Sequence, residues 1–104
     1  MIIKKKSKTI QTLEKISGRE LSLGGLIESI RLGEELTLNE FSKKLKISVS
    51  HLCDIEKGRK AVSPARAATF AKILKKSEAQ FVKLALQDEL KRSGLDYNIR
   101  IEAA

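Results

Sequence analysis

The chain of 104 residues has no tryptophan, one cysteine, one proline, one histidine and only 4% aromatic residues. A single cysteine, Cys53, can close no internal disulfide, which excludes a disulfide-stapled scaffold and points to a reducing, cytoplasmic setting. A core drawn from Leu, Ile, Val and Ala with almost no proline implies an all-α fold. The opening Met-Ile-Ile-Lys-Lys-Lys sets too few apolar residues beside its charges to be a secretory signal. No apolar run reaches the length needed to span a bilayer, so no membrane is expected as a partner. The length suits one domain with one core rather than two.

Acidic residues are also in deficit, 13 against 21 Lys and Arg, for a net charge of +8. Four of the positive charges are Lys4, Lys5, Lys6 and Lys8, with no acid before Glu14, which leaves +4 on the rest of the chain. Such an excess favours a polyanionic partner, of which nucleic acid is the commonest. The N-terminal lysines read either as an arm along a DNA groove or as a solubilising tail.

Three segments follow from the patterning. Residues 1–21 form a basic N-terminal extension, with Ile10, Leu13 and Ile16 at the spacing of a short helix. Residues 22–92 form the main domain. Ser22 caps a first helix with Leu23, Leu26, Ile27 and Ile30 on one stripe, and Gly24 and Gly25 suit close helix packing. Gly33 offers a left-handed stop. Thr37-Leu38-Asn39-Glu40 is a capping box opening a helix with Leu38, Phe41 and Leu45 inward. Ser48 caps a short helix over 49–57 with Leu52 and Ile55 inward, closed by Gly58. Ser63-Pro64 starts a fourth helix with Ala67, Phe70, Ala71 and Leu74 buried. Ser77 caps a fifth, running to Arg92, whose apolar residues cover more than one face and so require two partners: the core, and a second element or subunit. Residues 93–104 form a tail in which Tyr97, Ile99 and Ile101 alternate with polar residues, the period of a strand. Such a strand needs a neighbour: the Ile2-Ile3 segment, its own copy in a dimer, or a partner protein.

Residues 37–58 carry the function. A capped helix, a turn of about three residues and a second capped short helix form a corner that holds the second helix out as a rod. The DNA major groove is wide enough to admit such a rod. The segment 36–60, LTLNEFSKKLKISVSHLCDIEKGRK, with Ile30-Arg31 before it and Phe70-Ala-Lys-Ile-Leu74 after it, resembles the Cro/repressor-type (Xre-like) helix-turn-helix family. The resemblance spans about residues 23–76. It implies a five-helix, lambda-repressor-like bundle that binds operator DNA, usually as a two-fold dimer. Three positions depart from the family pattern. Ser42 stands where Ala is usual, Lys46 where a turn Gly adopts positive φ, and Leu38 where many members carry a phosphate-contacting Gln. A lysine in the left-handed region costs about 1 kcal/mol or somewhat more.

The resemblance also implies roles. Positions matching Val49, Ser50, Cys53 and Asp54 read bases: Val49 can meet a thymine methyl, Ser50 a base edge, and Asp54 a cytosine amino group. Ser48, His51, Lys57, Arg59, Lys60 and Arg66 are placed for phosphates, with the N-terminus of the Ser63-Pro64 helix beside them. Arg31 and Glu56 match a structural ion pair. His51 and Cys53, two residues apart on a helix, point apart and build no metal site. There is no paired-carboxylate cleft, no phosphate-cradling Gly-rich loop and no metal cluster in the pattern, so no enzyme, cofactor or metal is expected. The reading is a dimeric DNA-binding repressor whose helix 49–57 lies in the major groove of an operator. The alternative is an antitoxin that binds a toxin protein through its tail and represses its own operon. A basic membrane-surface protein would match the charge but not the capped corner at 45–48.

Overall fold

Among the described residues, five serine or threonine hydroxyls set where the chain becomes helical. The computed structural model describes residues 2–5, as backbone, and 22–104. The short helix expected over 10–16 lies outside the described residues. Ser22, Thr37, Ser48, Ser63 and Ser77 each accept a backbone N–H from the residue three positions on, opening α1 (Leu23–Gly33), α2 (Leu38–Leu45), α3 (Val49–Glu56), α4 (Pro64–Leu74) and α5 (Glu78–Arg92). Each such cap satisfies one of the donors that a helix N-terminus leaves without a partner. The capping box is reciprocal: Glu40 N donates to Thr37 Oγ1 at 3.1 Å, and Thr37 N donates to Glu40 Oε1 at 3.0 Å. Those hydrogen bonds hold the Glu40 carboxyl below its ordinary range.

The apolar stripes meet in one core. Leu23, Ile27, Phe41, Leu45, Leu52, Ile55, Ala67, Phe70, Ala71, Leu74, Phe81 and Ala85 are buried together, with Leu38 and Ile47 packed at its edge. Leu38 therefore serves the core rather than a phosphate. α1 lies so close to α3 that a methyl group on Gly24 would sit 2.1 Å from the Ile55 carbonyl oxygen. Gly33 does not terminate α1 in a left-handed conformation. It stays within the helix, and the positive φ falls two residues later on Glu35, at 57°. The reversal there is drawn round by Leu36 N, which donates to Arg31 O.

The molecule is not wholly helical. β1 (Ile2–Lys5) and β2 (Tyr97–Arg100) form an antiparallel pair, with Ile3 opposite Ile99 and Lys4 opposite Asn98. Of the three neighbours open to the C-terminal strand, the N-terminal segment takes it. In an antiparallel pair, alternate residues turn their main-chain groups to opposite edges. On β2 the carbonyl of Tyr97 accepts from Gln87 Nε2, and the amide of Ile99 donates to Gln87 Oε1 at 3.1 Å. One glutamine side chain thus stands in for a neighbouring strand, and it is nearly buried in doing so, as is Ile99. Gln87 lies on the opposite side of α5 from the core-facing Ala85. The second partner that α5 required is, on this side, a strand of the same chain.

Candidate nucleic-acid interface

A helix can be offered to a duplex only if its back is held and its front is left open. Leu52 and Ile55, at 0% and 1% exposure, fix the back of α3, while Val49 remains 40% exposed at the front. The corner that sets α3 off from α2 depends on Lys46, at φ 61° and ψ 40° in the left-handed region. Ser42, against which the corner closes, is buried, and its hydroxyl donates to Asn39 O at 2.8 Å. A larger residue would not fit there.

The inclination of α3 to the body is set from behind. Arg31 donates from Nε and Nη2 to the two Glu56 oxygens at 2.9 and 3.0 Å, and from Nη1 to Leu36 O at 3.1 Å. The side chains are 14% and 3% exposed. This fork-to-fork geometry ties α1, the loop after it and the end of α3 into one rigid unit. The hydrogen bonds to Glu56 raise the Arg31 pKa above its ordinary value, against the opposing effect of burial. Removing either partner would strand a buried charge, at about 3–5 kcal/mol.

The residues singled out in the sequence separate into groups. Val49 and Ser50 lie exposed on the first turn of α3. Ser48 is exposed too, and its hydroxyl serves as the cap, accepting from His51 N at 3.0 Å. His51 is half-buried and stands against Arg66, whose Nη1 lies 3.4 Å from Nδ1 and 3.5 Å from Nε2. Burial pushes the His51 pKa below its ordinary value, and the positive charges of Arg66 and Lys60 push the same way, against Asp54. Both effects favour the neutral imidazole. Arg66 is exposed in the first turn of α4, where its own amide donates to Ser63 Oγ. It joins the N-terminus of that helix to the flank of α3.

Asp54 and Cys53 are half-buried near the end of α3, and the exposed Arg59 comes back to meet them. Arg59 Nε donates to Asp54 Oδ1 at 2.9 Å, and Nη2 lies 3.8 Å from Cys53 Sγ. Sequence reasoning treated these residues singly, because a separation of five positions crosses the helix end. The exposed Lys57 and Lys60 line a cleft of about 360 Å³ between the start of α1 and the ends of α3 and α5, together with Asp88, Lys91 and Arg92. Two contacts there also escaped the sequence. Asp88 Oδ2 accepts from Leu23 N at 3.0 Å, and Arg92 Nη2 donates to Gly58 O at 3.2 Å. Neither residue stood out, since a charged side chain near a helix end is ordinarily solvated. Among the described residues no group of three or more His, Cys, Asp or Glu could hold a metal, and no helix is long and apolar enough to cross a membrane.

Comparison with known proteins agrees with this geometry. A family model for the helix-turn-helix HTH_3 matches residues 27–81. Two crystal structures of the clp gene regulator ClgR from Corynebacterium glutamicum are similar. One is 30% identical, with 64% of this chain and 85% of that chain covered and a TM-score of 0.52. The other is 29% identical, with 69% and 78% covered and a TM-score of 0.51. An HTH_3 family transcriptional regulator from Vibrio cholerae, 22% identical, shares the fold with a TM-score of 0.51 over 68% of this chain and 39% of that one. No significant match was found among curated proteins.

Proposed function

The chain belongs to the HTH_3 helix-turn-helix family, of the Cro/repressor type, and from that premise we propose that it is a DNA-binding transcriptional regulator that represses by occupying an operator. The observation that carries the reading is α3 itself. Its inner side is sealed by Leu52 and Ile55, its first turn is open at Val49 and Ser50, and cations stand on its flank and beyond its end. Val49 and Ser50 are the base contacts, through a thymine methyl and a base-edge hydrogen bond. Lys60, Arg66 and Lys57 take backbone phosphates, with His51 beside Arg66. The similarity to a clp gene regulator supports a role in gene control.

An α3 of eight residues is about 12 Å long and touches only a few base pairs. Operator-grade specificity then calls for two copies, so the protein binds as a homodimer to half-sites about one helical turn apart. The antitoxin alternative drew on a free strand in the tail. β2 is paired with β1 on one edge and held by Gln87 on the other, so nothing among the described residues favours that reading.

Fluorescence anisotropy with labelled duplex from the protein's own upstream region tests the proposal. Three phosphate-binding cations per copy give a slope of log K against log salt of about −5 for a dimer. Val49→Ala with Ser50→Ala should sharply lower the preference for that duplex over random DNA while leaving the thermal transition in place. Equal binding of both duplexes by the unaltered protein would refute it.

A further inference from the structure

Charge and position make Arg59 look like one more phosphate ligand, and Asp54 like a base reader. The geometry points to a different division of labour. We propose that Arg59 reads a guanine in the major groove and that Asp54 is its positioning residue. This rests on the DNA-binding reading above and names what the end of α3 recognises.

Gly58, at φ 75°, turns the chain back on itself after α3. The amides of Arg59 and Lys60 then both donate to the Asp54 carbonyl, at 2.8 and 3.2 Å. The loop is thereby folded over the last turn of the reading helix instead of leading away from it. The Arg59 side chain lies along that helix, where Asp54 Oδ1 takes its Nε at 2.9 Å. A guanidinium held through Nε keeps the Nη1 and Nη2 end of its fork, which is the end that matches the O6 and N7 of guanine. The Cys53 sulfur at 3.8 Å is too weak an acceptor to compete for Nη2.

The charges agree with this assignment. A bare carboxylate at position 54 would be driven away from a duplex. Paired with Arg59, it is neutralised and contributes orientation instead. The arginine side chain is 59% exposed and the aspartate 28%, so the cation is the outer member of the pair and meets the duplex first. A surface ion pair of this kind adds little to folding stability. Its consequence is that the guanidinium reaches DNA with its rotamer already chosen, which a phosphate contact would not need but a bidentate base contact does.

Selection of bound sites from random-sequence DNA, followed by affinities for the selected site and its single-base variants, tests the proposal. The unaltered protein should select a half-site with one strongly preferred guanine, discriminated by about 10–100-fold. Arg59→Ala should erase the preference at that position and keep the others, with Lys60→Ala lowering all affinities alike. Arg59→Lys should fail to restore it. Asp54→Ala should weaken the same preference, and Asp54→Asn, whose Oδ1 still accepts from Nε, should restore part of it. A melting curve for each variant confirms its fold. A guanine preference that survives Arg59→Ala, or a loss of affinity equal at every sequence with a shallower salt slope, would overturn the proposal while leaving DNA binding intact. If the unaltered protein enriched no motif at all, the reading beneath it would fall as well.

Discussion

Two backbone positions show how much a single residue decides here. Gly24 lies where α1 and α3 meet, and any Cβ there would run into the Ile55 carbonyl, which is backbone and cannot swing aside. Lys46 has the opposite fault: it carries a side chain in a conformation that suits glycine. Gly24→Ala should therefore lose about 1–3 kcal/mol through overpacking, despite alanine's better helix propensity. Lys46→Gly should relieve about 1–2 kcal/mol of left-handed strain, of which glycine's larger unfolded-state entropy takes back up to about 1 kcal/mol. Thermal unfolding checks both: a fall of at least several degrees for the first, and no fall or a small rise for the second. A destabilising Lys46→Gly would mean that the lysine side chain holds the turn in some other way. The left-handed turn at 46 was legible because the departure from glycine stood at a known corner. The one at Glu35 was not, since Gly33 offered a better-suited residue two positions earlier.

At the scale of elements, starts were more legible than partners. Each of the five described helices starts on the expected hydroxyl, because a cap is a local arrangement of four residues that the sequence spells out. The pairing of β2 is not local. Its period announced a strand, but which chain segment lay beside it depended on where α5 ended. Gln87 gave no signal of its own, being a polar residue on a helix that already carried other polar residues. Gln87→Leu keeps the volume but leaves the Tyr97 carbonyl and the Ile99 amide without their partner, at a cost of about 1–3 kcal/mol for the buried Ile99 amide and less for the part-buried Tyr97 carbonyl. Hydrogen exchange should show the Ile99 amide losing protection, while the amides of Phe41 and Leu52 in the helical core change only by the global loss of stability. Unchanged exchange at Ile99 would mean that pairing with β1 alone holds the strand.

At the scale of the whole molecule, the fold works by division of sides. Three buried phenylalanines and the aliphatic residues around them hold the helices together. The Arg31–Glu56 fork fixes the inclination of α3 from behind. Val49, Ser50 and the Asp54–Arg59 pair share the other side, with the His51–Arg66 pair on its flank. The helix-turn-helix was legible because its spacing is carried by apolar residues that the core must bury. The pairs on the open side were not, because each joins residues from separate turns or elements that only the folded chain brings together.

The central claim is that α3 presents its open side to DNA, and amide chemical shifts recorded as a short duplex is added at low salt test it most directly. The largest changes should fall on residues 48–54, on Arg59 and Lys60, and on the first turn of α4 around Arg66, with β2 and the Gln87 side of α5 unmoved. Shifts confined to α5 and β2, with α3 silent, would contradict the account.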